Sequence, residues 1–276
     1  MTANQLAVCS WSLQPGDPEH LVELVRQTGV DAIQLALSPL VHDREGWSGA
    51  IETLRRSGIG VVSGMMQTAD EDYTTLESIA RTGGVRPDGT WDRNRAHAAA
   101  VADLAAYAEI GLVTFHAGFI PERADDPERR KLLDRLRFLG DLFAARGLRL
   151  GLETGQETAE TLDEVLGELD HDAVGVNFDP ANMILYGKGD PVSALRRLAR
   201  RVVQVHIKDA LPADTPGTWG REVPAGQGAV DWPAFFDVAR ALDPPVDFVI
   251  EREAGGERID DIVAACELAC QHLGRQ

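Results

Sequence analysis

Short runs rich in Val, Ile and Leu alternate along this chain with longer segments whose apolar residues recur at helical spacing. Repeated strand–helix units give that pattern. Eight strands are predicted, at 6–12, 31–37, 59–65, 112–117, 148–153, 174–179, 202–207 and 246–251. A helix is expected after each, at 18–28, 47–57, 93–110, 127–146, 158–169, 190–200, 231–242 and 257–273. The strand runs are nearly continuous in apolar character, as a parallel sheet covered on both faces requires. With 276 residues, the pattern fits an α/β single-domain (β/α)8 TIM barrel over 1–276.

Local chemistry marks the boundaries. Asp17 before Pro18 and Asp190 before Pro191 read as N-caps with a proline in the first helical position, and Asp231 caps the seventh helix. Gly29, Gly58, Gly111 and Gly147 fall between a helix and the next strand, where a left-handed C-cap is wanted. Two strand-to-helix connections are long, at about 66–92 and 208–230. They are expected to be lids on the C-terminal face. The first should hold a short helix from Tyr73 to Arg81, capped by Asp72.

Four strands in the second half end in a metal-friendly side chain: Glu153 after LRLGL, Asp179 after VGVNF, His206 in VVQVHIKD, and Glu251 after FVI. Their separations of 26, 27 and 45 residues suit successive strand–helix units, so parallel strands should carry all four to one barrel rim. Burying three unpaired carboxylates together is costly enough to require a cation. Three carboxylates and one imidazole make a hard, oxygen-rich site for one divalent ion, Mn²⁺ first, with Mg²⁺, Co²⁺ or Zn²⁺ as alternatives.

Composition narrows the partners. Forty-four acidic against 27 basic residues give a formal charge of −17, which disfavours nucleic acid and anionic membrane surfaces. No apolar stretch approaches a membrane span. The N-terminus lacks the pattern of a signal peptide, and three cysteines make no disulfide framework, so the expected location is cytoplasmic. Cys9, Cys266 and Cys270 read as small core residues.

The segments GLETGQ, NFDPAN, VHIKD, GQGAVDW and FVIERE, in that order, resemble the sugar phosphate isomerase/epimerase family with the xylose isomerase-like barrel. FHAGFIP and EDYTTLESIARTGG extend the resemblance over essentially the whole chain. It implies that Glu153, Asp179, His206 and Glu251 hold one divalent metal and that Glu153 and Glu251 transfer protons on opposite faces of a carbohydrate or polyol substrate.

Other residues are candidates for holding that substrate. Lys208 shares the side of an extended segment with His206. His116 follows a strand and should face the barrel mouth. Asn182 stands where some relatives of the resembled family place a substrate-binding histidine, a departure that counts against a ketohexose 3-epimerase. Arg221 could reach the site from its loop. Glu157 either touches a sugar hydroxyl or caps the fifth helix. Asp209 either orients its turn or joins the site. Trp11, Trp91 and Trp219 could wall a sugar ring, and the amides around Gly226 and Gly228 could approach an anion. His20, His42, His97, His171 and His272 are expected at the surface.

The primary expectation is a metal-dependent isomerase or epimerase working through an enediolate. The alternatives are a lyase or dehydratase, including partner-dependent 3-oxo-glycoside cleavage, and a non-catalytic accessory barrel. An apurinic-site endonuclease, which uses the same barrel, is disfavoured by the negative charge. A homo-oligomer stays open.

Overall fold

The computed structural model describes residues 4–274 except Arg44 and Pro216, the latter inside the second predicted lid. Eight parallel strands close a barrel: β1 (Leu6–Cys9), β2 (Ala32–Ala36), β3 (Gly60–Met65), β4 (Leu112–Phe115), β5 (Arg149–Glu153), β6 (Val174–Phe178), β7 (Val202–Ile207) and, after the short strands β8 (Asp209–Leu211) and β9 (Arg221–Val223), β10 (Asp247–Ile250). Strand β1 pairs with both β2 and β10, which shuts the cylinder.

The helices that cover the barrel are α1 (Pro18–Thr28), α3 (Ala50–Arg56), α5 (Asp88–Tyr107), α6 (Pro127–Ala144), α7 (Ala159–Leu169), α9 (Pro191–Leu198), α10 (Trp232–Ala239) and α11 (Arg258–Leu273). Among the described residues, three further α-helices, none longer than α3, sit on strand-to-helix connections: α2 (Ser38–His42), α4 (Leu76–Thr82) and α8 (Pro180–Leu185). Asp17, Asp190 and Asp231 each accept a backbone N–H as expected of N-caps. Gly29, Gly58 and Gly147 have positive φ. Gly111 does not, because Glu109 takes the left-handed position after α5 instead, at φ 61°.

Outward-facing strand residues such as Val205, Ile207 and Phe248 join the main apolar core with the helices. The inner wall is different. Every second residue points into the barrel, and there the sequence supplies Gln34, Thr114, Asn177, Gln204 and His206, all buried. A small apolar layer of Ala7, Cys9, Ala32, Val62 and Val249 packs separately. The sheet is thus apolar toward the helices and partly polar inside.

Both long connections carry secondary structure of their own. In 66–92 the short helix begins later than predicted, because Thr75 and Ser78 form a reciprocal capping box. Asp72 instead accepts the N–H of Thr74 in a local turn. The segment is pinned at Gly84, where a Cβ would stand 2.0 Å from the carbonyl oxygen of Ala117. In 208–230 the antiparallel pair β8–β9 forms a hairpin that the apolar pattern does not announce. Among the described residues, no helix is long and apolar enough to cross a membrane.

Candidate metal centre

Glu153 closes β5, Asp179 and Glu251 directly follow β6 and β10, and His206 is the penultimate residue of β7. One ligand atom from each lies within 4.8 Å of the others, and all four residues are buried. His206 Nδ1 is 3.8 Å from Glu153, 3.6 Å from Asp179 and 3.3 Å from Glu251. Hard divalent ions bind such ligands at about 2.0–2.3 Å, so donors around one ion stand roughly 3–3.5 Å apart. The cluster therefore needs little contraction to hold an ion.

Two buried atoms point to the same conclusion. Among the described residues, His206 Nδ1 and Asp179 Oδ2 have no hydrogen-bond partner, an expensive condition for buried polar atoms unless something else satisfies them. The opposite ring nitrogen is engaged: His206 Nε2 lies 2.8 Å from Gln34 Oε1, while Gln34 Nε2 donates to Thr114 Oγ1 at 2.8 Å. With its amide nitrogen committed to Thr114, Gln34 presents an acceptor to the ring. The imidazole proton is thereby held on Nε2, and the Nδ1 lone pair faces the carboxylates. Asn177 Nδ2, 3.0 Å from the same Nε2, has Glu153 Oε2 as its acceptor at 3.3 Å.

Both glutamates are held at both oxygens. Asn182 Nδ2 donates to Glu153 Oε1 at 3.0 Å, opposite the Asn177 bond. Trp11 Nε1 donates to Glu251 Oε1 at 2.7 Å and Lys208 Nζ to Glu251 Oε2 at 2.9 Å. Their surroundings push them apart. Burial raises Glu153 to about 7, although His116 and His206 oppose it. Burial also acts on Glu251, but Lys208 and His206 outweigh it and hold the group well below the usual carboxylate range. Lys208 stays charged because Glu251, Glu253, Asp179 and Glu222 overcome its burial.

Above the cluster opens a pocket of about 580 Å³, with a lining that includes Trp11, His116, Asn182, Lys208, Trp219 and Glu251. His116 Nε2 is 3.6 Å from Glu153. Residues the sequence reasoning passed over, Ser38, Glu71, Tyr73, Tyr186 and Glu253, also line it. Glu253 had a usable signal, since it stands two residues after Glu251 on an extended segment. Asn177, two residues before Asp179, carried the same period-two spacing, whereas Gln34 has no candidate ligand at that spacing.

Several expected contributors lie elsewhere. Arg221 is exposed and does not line the pocket, because strand alternation turns its neighbour Glu222 inward to Arg252 at 2.6 Å. Glu157 is buried outside the pocket lining, and the cap of α7 is Thr158, which accepts the N–H of Thr161. Trp91 packs under Arg135 and edge-on to Phe138, lining a separate surface cleft. The amides of Gly226 and Gly228 do bind an anion, but it is Asp209 Oδ2, at 2.9 and 3.0 Å. Asp209 is thus the turn's organiser. His97 is half-buried, bonded to Ser38 Oγ at 2.8 Å and stacked on His42.

A profile described as the xylose isomerase-like TIM barrel matches residues 22–271. The structure superposes on a xylose isomerase domain protein from Planctomyces limnophilus with a TM-score of 0.89, 31% identity and 98% coverage of both chains. An inosose dehydratase of Geobacillus thermodenitrificans is 28% identical over 141 residues, 44% of this chain and 46% of that protein. Another, from Clostridium botulinum, is matched over only 30% of its length, at 29% identity across 32% of this chain. An L-ribulose 3-epimerase shares the fold at 14% identity, with a TM-score of 0.73, 98% of this chain and 95% of that one.

Proposed function

Because the chain belongs to the xylose isomerase-like TIM barrel family, whose members include epimerases and dehydratases, we propose that it is a divalent-metal-dependent isomerase or epimerase of a sugar, keto-sugar or polyol. Glu153, Asp179, His206 and Glu251 would hold the ion. When bound, such an ion supplies Lewis-acid stabilisation of negative charge developing on the substrate's oxygens, worth several kcal/mol. Manganese suits the donor set of three carboxylates and one imidazole.

One observation carries the reading. Two glutamates flank the cluster, each oriented through both oxygens and each beside a proton-bearing neighbour, His116 near Glu153 and Lys208 on Glu251. Glu251, kept ionised by Lys208, is the base that removes the C–H proton next to a carbonyl. Glu153 returns a proton to the other face for an epimer, or to the adjacent carbon for an isomer. Asn182, Trp11 and Lys208 hold these carboxylates in place and contact substrate. The segments 66–92 and 208–230 act as lids, and Tyr73 and Trp219 bring aromatic walls from them to exclude water.

A second reading is dehydration. It is favoured by the inosose dehydratase matches and by Asn182 at the position where the sequence departs from the 3-epimerase pattern. Here the proton from Glu153 or His116 leaves with the substrate hydroxyl as water. Incubating the Mn²⁺-loaded protein with inosose and with free ketohexoses in D₂O separates the two. Deuterium gain with an epimerised or isomerised product supports the first reading, and mass loss of one water supports the second. Glu153→Gln and Glu251→Gln should each lower turnover at least 10³-fold with the fold intact, and full activity in both would overturn either reading.

A further inference from the structure

We propose, resting on the keto-sugar or polyol reading above, that this pocket selects an uncharged substrate and rejects phosphorylated or carboxylated analogues of the same skeleton. The lining brings three carboxylates, Glu71, Glu251 and Glu253, to the space a substrate would fill. Glu153 and Asp179 lie beneath them. Among the described residues, the only lysine or arginine in the lining is Lys208. Its ammonium is already committed to Glu253 at 2.6 Å and Glu251 at 2.9 Å, with Asp179 and Glu222 at 3.8 and 4.0 Å. A bound divalent ion and the Lys208 ammonium bring three positive charges against these five carboxylates, Glu71, Glu251, Glu253, Glu153 and Asp179, and do not reverse their sign.

The usual places for a phosphate are also taken. Arg252 is bound to Glu222 and Asp261, and Arg221 is exposed away from the lining. The glycine-rich turn after β9 offers the amides of Gly226, Gly228 and Val230 and the indole N–H of Trp232, a ready anion cradle. All four donate to the Asp209 carboxylate, at 2.9–3.2 Å. The protein has filled its own anion site. What remains for a ligand is hydroxyl-sized: Ser38, Gln67, Asn182 and Tyr186, with Trp11 and Tyr73 as faces for C–H surfaces.

Glu71 and Glu253 make the exclusion testable without touching the cluster. Glu71 serves Thr68 and Gly84 through Oε1, acceptor contacts that glutamine keeps. Titration calorimetry of the Mn²⁺-loaded protein would compare D-fructose with D-fructose 6-phosphate, and D-fructose with D-fructuronate, its 6-carboxylate. The anionic member of each pair should bind at least tenfold more weakly, and a Glu71→Gln/Glu253→Gln double variant should narrow that gap several-fold. Equal or tighter binding of the anions, or an unchanged gap in the double variant, overturns the proposal. Proton exchange on anionic ketones alone would overturn only this selectivity. Absence of both binding and exchange with every ketone would remove the proposed function and this inference with it.

Discussion

Gln34 contributes no ligand atom, yet its position between Thr114 and His206 decides which imidazole nitrogen is free. Gln34→Leu should weaken Mn²⁺ binding 10–100-fold, as loss of a ligand's hydrogen-bond partner typically does. Gln34→Glu, which keeps an acceptor, should restore most of it. Titration of the ion against both variants checks this, and equal affinity in all three proteins would show that Gln34 only fills space. Glu157 gives a pH-dependent test. Burial raises its carboxyl to about 8, with His116 and Lys188 opposing. Below the unfolded value of 4.5 both states hold the proton; as pH rises toward 8 only the folded state does, so stability falls at about 1.4 kcal/mol per unit. Glu157→Gln should therefore gain melting temperature over the parent as pH goes from 5 to 8, with no gain at pH 4. A constant difference across that range would contradict it. The candidate ligands were legible only as a set: a single acid closing a strand reads as a helix cap, which Asp179 also is, accepting the N–H of Asn182, whereas four metal-friendly residues on successive barrel strands point to one centre. Gln34 was not legible, because one polar residue inside an apolar strand reads as noise until the register shows which face it occupies.

At the scale of elements, the strand-to-helix segments build the pocket. Gly84 and Gly118 pack backbone to backbone: a Cβ on Gly118 would come 2.4 Å from the Gly83 carbonyl oxygen, and Gly84 sits at φ 71°. This contact ties 66–92 to the turn that carries His116. Gly84→Ala should cost on the order of 1–3 kcal/mol through strain and displacement. It should also raise KM more than it lowers kcat, as measured by urea unfolding and steady-state kinetics; unchanged stability would mean the segment is not anchored there. The strands and long helices followed from periodicity, since apolar spacing and Asp-Pro caps act locally. The β8–β9 hairpin did not, because its paired residues lie ten to fourteen positions apart, from Leu211–Arg221 to Asp209–Val223, and because Asp209 gathers donors from as far along the chain as Trp232. Arg221 was misplaced for the same reason: a loop reading assigns no face, whereas a strand does.

For the molecule as a whole, the closed parallel barrel converts four distant sequence positions into one centre at the C-terminal rim, the side where this architecture places its chemistry. The charge of −17 fits that centre, since an acidic protein attracts divalent cations and repels competing anions. Calorimetric titration of Mn²⁺ into the chelator-stripped protein tests the central claim most directly. One ion per chain is expected for the parent, with binding lost in both Asp179→Asn and His206→Ala while the fold persists by circular dichroism. Absence of binding in the parent, or undiminished binding in both variants, would contradict it.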